Sequence, residues 1–72
     1  MNIIEQLTAL RKEQHLSQEK LSTLAGLGKN TMSRLESGGQ GLTLKTLTAL
    51  AGALGYRIEI KFVAMEDEDE NV

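Results

Sequence analysis

Apolar residues recur at helical spacing through most of the chain and then switch to strict alternation. Ile3, Leu7 and Leu10 stand at i, i+4 and i+7 behind Asn2, a capping residue type whose bond Glu5 can return, so a first helix is predicted to run to about Gln14. Ser17 suits the start of a second helix, Glu19 favours its positive end, and Leu21, Leu24 and Ala25 make a short apolar stripe that ends at Gly26. Only Leu27 and Gly28 separate that stop from a third helical pattern. There Met32 and Leu35 are the inward residues, and Ser37, Gly38 and Gly39 end the run. A fourth helix is predicted after Thr43, with Leu44, Leu47, Leu50, Ala51 and Leu54 along one side and Gly55 closing it.

Beyond Gly55 the period falls from 3.6 to 2. Tyr56, Ile58, Ile60 and Phe62 alternate with Arg57, Glu59, Lys61 and Val63, the pattern of one amphipathic strand. A single strand leaves its N–H and C=O groups unpaired, and no second strand pattern exists in the chain, so its partner is expected from another copy. The expected organisation is a helical domain over residues 1–55, a dimerisation strand over 56–64 and an acidic tail over 65–72, too poor in apolar groups to fold.

Composition narrows the function. Seventy-two residues make one domain at most, and a chain this short buries only about 60% of its unfolded surface, so a partner subunit would help it. With no cysteine and one histidine, His15, neither a thiolate nor a metal site is available, and no metal or cofactor is expected. The chain has no apolar run of membrane-spanning length and no secretory signal pattern at its start, so a cytoplasmic location is expected. The net charge of −2 conceals a segregation: Glu66, Asp67, Glu68, Asp69 and Glu70 lie in the tail, and residues 1–64 carry eight basic against five acidic groups, a body of +3.

The stretch Leu16 to Gly38, LSQEKLSTLAGLGKNTMSRLESG, resembles the helix-turn-helix of the phage lambda repressor and Cro family, also called the XRE family. The resemblance extends from about Ile3 to Gly55 and rests on spacing. Leu21, Ser22, Ala25, Gly26, Leu27, Met32 and Leu35 fall where the family places packing residues, the turn glycine and apolar anchors. Small residues let the two helices cross closely, and the glycine swings the second outward, where it can enter a major groove. The expected fold is therefore mainly α: a lambda-repressor-like bundle of four helices plus one C-terminal β-strand pairing across a homodimer. Many relatives finish with a fifth helix instead, but alternation over eight residues favours the strand.

By this resemblance the base-reading positions map onto Lys29, Asn30, Ser33 and Arg34. Arginine or lysine can donate to guanine O6 and N7, and asparagine can bond adenine bidentately. Gln18 matches a glutamine that contacts phosphate and braces the recognition helix; Thr31, Ser37 and Gln40 are further phosphate candidates. The loop Gly38-Gly39-Gln40-Gly41 lacks the basic residues common in relatives, which implies a shallower salt dependence. Arg11 and Glu36 match two positions that form a structural ion pair between helix one and the end of helix three.

Double-stranded DNA is the expected partner, and an autoregulatory repressor binding a palindromic operator as a homodimer is the expected function. A helix-turn-helix followed by a dimerising strand also resembles the HipB-type antitoxins, so the alternative is an antitoxin that restrains a toxin protein and co-represses its operon. Enzymatic activity is not expected. Gly28-Lys29 superficially matches a P-loop, but Thr23 stands where its first glycine belongs and Asn30 replaces its hydroxyl residue.

Overall fold

Four helices account for the regular structure of the computed structural model, which describes residues 2–39 and 41–66. They are α1 Ile3–Glu13, α2 Gln18–Leu24, α3 Thr31–Glu36 and α4 Leu44–Ala53, in the places the periodicity predicts. Three begin with a side-chain cap. Asn2 Oδ1 accepts from the Glu5 amide while Glu5 Oε1 accepts from the Asn2 amide, both at 2.8 Å. Ser17 Oγ accepts from the Lys20 amide at 3.0 Å, and Thr43 Oγ1 from the Thr46 amide at 3.1 Å. α3 has no such cap of its own.

At the other ends, a residue in left-handed backbone turns the chain back so that two amides satisfy carbonyls of the last turn. At the end of α2 this residue is Gly26, with φ 76°: its amide bonds the Thr23 carbonyl at 3.0 Å, and the Leu27 amide bonds that of Ser22 at 2.9 Å. α1 ends in the same way on His15, whose φ of 58° is sterically costly for a residue with a Cβ. Its amide bonds the Lys12 carbonyl and that of Leu16 bonds Arg11, both at 3.0 Å. After α3, a Cβ on Gly39 would stand 2.5 Å from the Arg34 carbonyl oxygen, so only glycine fits.

Leu7, Leu21, Met32, Leu35, Leu50 and Leu54 form the core, with Ile4, Leu10, Leu16, Leu27 and Leu47 packed around them. Leu21, Met32 and Leu50 are fully buried, each stabilising the fold by about 1.5–3 kcal/mol. Gln14 Nε2 donates to the Leu54 carbonyl at 2.8 Å and ties the ends of α1 and α4 together.

Three residues of the predicted apolar stripes are exposed. Ile3 and Leu44 are exposed because each is the first residue of its helix and its side chain leans past the helix end, away from the core. Leu24 is exposed because Leu21, Ser22 and Ala25 define the inward face of α2, and position 24 lies roughly 100° round from its middle.

The predicted strand over Tyr56–Val63 is absent from the described residues: 56–66 have no regular secondary structure. Among the described residues there is no second strand to accept its ladder bonds. Ile60 and Phe62 stand exposed, and Ile58 is only half-buried. Residues 67–72, most of the predicted acidic tail, lie outside the described residues. Among those described, no helix is long and apolar enough to cross a membrane.

Candidate nucleic-acid interface

α2 and α3 meet across a six-residue connection. The Thr31 amide bonds the Gly28 carbonyl at 3.0 Å, which makes Lys29 and Asn30 the two central residues of a turn leading into α3. From there the Arg34 amide reaches back to the Asn30 carbonyl at 3.0 Å, so Arg34 stands one helical turn beyond Asn30 on the same side. Met32 and Leu35 point the opposite way and are buried. The division of α3 into a core face and an outer face follows from this spacing.

Lys29, Asn30 and Arg34 are exposed, and their side chains have no hydrogen-bond or ion-pair partner among the described residues. The other candidates are partly engaged. The Ser33 hydroxyl donates to the Asn30 carbonyl at 3.0 Å, and that of Ser37 to the Arg34 carbonyl at 3.1 Å, leaving their oxygens to accept. Thr31 is half-buried beside Gly28. Gln40 lies outside the described residues.

The segment from Lys29 to Glu36 is held at both ends. At the C-terminal end, Arg11 grips both carboxylate oxygens of Glu36, Nε to Oε2 at 2.8 Å and Nη2 to Oε1 at 3.0 Å, while its Nη1 donates to the Leu16 carbonyl at 2.8 Å. Gln18 Nε2 donates to Glu36 Oε1 at 3.0 Å, so Gln18 braces α3 from the first turn of α2. Thr8, on α1, also favours the charged carboxylate. Burial pushes the Glu36 carboxyl up, but the bonds from Arg11 and Gln18, the Arg11 charge and Thr8 outweigh it, so the group sits below its ordinary value. The Glu36 charge is thereby neutralised locally, and the outer face keeps the free cations of Lys29 and Arg34.

At the N-terminal end the holding group is Ser22, which is fully buried. Its hydroxyl donates to the Gln18 carbonyl at 2.8 Å and accepts from the Met32 amide at 3.0 Å. Sequence reasoning treats Ser22 as a small residue that permits close packing and misses this bond. The available signal was a hydroxyl on the inward face of a helix, which must find a partner when buried. The Gln14 bridge left no comparable mark, because Gln14 stands on the exposed surface.

Residues 7–61 match the model of a helix-turn-helix family. The chain is also similar to the "Immunity repressor protein" of Bacillus phage phi105, with 34% identity over 58 residues that cover 81% of this chain and 40% of that protein. The chain therefore aligns with well under half the length of that relative.

Proposed function

The chain belongs to the XRE-type helix-turn-helix family whose model it matches, and from that premise we propose that it is a sequence-specific DNA-binding transcriptional repressor. The carrying observation is the pairing of Lys29, Asn30 and Arg34, exposed and unpartnered among the described residues, with a recognition helix fixed at both ends. Side chains held ready on a rigid element can meet base edges without first breaking internal bonds. Asn30 and Arg34 carry the main discrimination, Lys29 and Ser33 supplement it, and Gln18, Thr31, Ser37 and Gln40 contact phosphate and set the register. Similarity to a phage immunity repressor supports repression as the outcome, reached by covering a promoter, its own included.

The working unit in this reading is a homodimer joined through residues 56–64. Tyr56, Ile60 and Phe62 are exposed in the single chain, Phe62 completely so, and a second copy pairing along this segment would cover them with Ile58. Arg57 Nη2 reaches Glu59 Oε2 at 2.9 Å, and contact between residues two apart suits an extended backbone ready to pair. Twofold symmetry would set two recognition helices roughly 34 Å apart, on successive major grooves of a palindromic operator.

Selection from a random duplex library tests the proposal. Enrichment of two inverted half-sites about 10 base pairs apart is expected. A library that emerges without a preferred sequence would refute DNA reading, and a preferred but asymmetric site would refute the dimer.

A further inference from the structure

Three helices of this protein begin on a residue whose backbone is extended, with ψ of 175° at Asn2, 164° at Ser17 and 166° at Thr43, and in each the side chain caps its own helix. Asn30, at the same position before α3, is different. Its φ of −99° and ψ of 7° continue the preceding turn, and its side chain makes no capping bond although asparagine is among the best capping residues. The amide of Met32, two residues into the helix, is instead taken by Ser22 Oγ from the neighbouring helix. Met32 and Ser22 are both fully buried, so water does not compete for this bond.

We propose that Ser22 caps the recognition helix in place of Asn30 and so leaves the Asn30 carboxamide free to read a base. The chemistry makes the two tasks exclusive. Bidentate recognition of adenine uses both ends of the carboxamide, Oδ1 accepting from N6 and Nδ2 donating to N7. An asparagine that caps its own helix turns its carboxamide back over the first turn to bring Oδ1 to a backbone amide, and in that orientation it cannot present Oδ1 and Nδ2 together to a base edge. Ser22 is therefore a positioning residue for base readout, acting from α2 through the backbone of α3. Without its hydroxyl the buried Met32 amide is orphaned, and the backbone at Asn30 can satisfy it by swinging to the extended form the other three caps use.

This inference rests on the DNA-reading proposal, and a double-mutant cycle tests it on the full chain. The probes are the duplex enriched by the wild-type protein, its single base-pair variants and a scrambled duplex, with folding checked by circular dichroism. Asn30→Ala first identifies the base pair that Asn30 specifies. Ser22→Ala should then lose about tenfold in discrimination at that same pair, with affinity for the scrambled duplex and the salt slope unchanged. Adding Asn30→Ala to Ser22→Ala should cost little more, whereas adding Arg34→Ala should cost its full separate amount. Retained discrimination in Ser22→Ala, or additive losses at 22 and 30, overturns the assignment while leaving DNA reading intact. If the wild type enriches no duplex, both fall. If Ser22→Ala does not fold, hydrogen exchange on the wild type decides: a slowly exchanging Met32 amide upholds the cap, and a rapidly exchanging one refutes it.

Discussion

Arg11 and Glu36 are 25 residues apart in sequence, yet both oxygens of the Glu36 carboxylate lie within 3.0 Å of the Arg11 guanidinium, with both side chains nearly buried. The pair joins the end of α1 to the last residue of the recognition helix, and Gln18 enters the same carboxylate from α2. Removing one partner strands the other charge in a poorly hydrated place. Glu36→Ala should destabilise the fold by up to about 3–5 kcal/mol in urea unfolding, and replacing both residues by apolar ones should recover much of the loss. Unchanged stability in Glu36→Ala would show that the pair does not tie the helices.

The same carboxylate makes stability depend on acid. Its group sits below the ordinary value of 4.5 in the folded protein, so its contribution is complete above that value and is lost as pH falls through the lower folded value. Thermal midpoints measured downward from pH 6 should fall more steeply for the wild type than for Glu36→Gln. Parallel curves would remove Glu36 as the cause.

Replacing Lys29, Asn30 and Arg34 together by alanine should abolish preference for the selected duplex while leaving the fold intact, since none of the three side chains has a bond within the described residues. Each lost base pairing should contribute about 1–3 kcal/mol of discrimination. Binding assays on a variant with native circular dichroism check this, and persistent preference would move the reading surface elsewhere.

Truncation after Gly55 should yield a monomer by light scattering with its helices retained, because the core residues all precede that point. The single substitution Phe62→Asp should weaken association in the same direction, since Phe62 is fully exposed among the described residues and contributes nothing to their core. A dimer that survives both changes would place the interface on the helices.

His15 should be a site of gain. Its left-handed backbone costs about 1 kcal/mol relative to glycine, and no side-chain bond of His15 offsets it among the described residues. His15→Gly should therefore raise the urea midpoint modestly, although part of the gain is offset by the freer unfolded chain. A lowered midpoint would mean that the imidazole has a packing role.

The positions of the four helices were legible along the chain, because caps such as Asn2, Ser17 and Thr43 and stops such as Gly26 and Gly55 act within a few residues of where they stand. It also named the outward residues of the recognition segment, since Met32 and Leu35 place the core side of α3 through helical spacing alone. That Leu24, Ile3 and Leu44 stay exposed was settled by packing, because burial depends on which neighbour arrives and where each helix ends. The Ser22 bond to Met32 was likewise a tertiary outcome: a hydroxyl can satisfy any nearby donor, and that donor came within 3.0 Å only when α2 and α3 packed together.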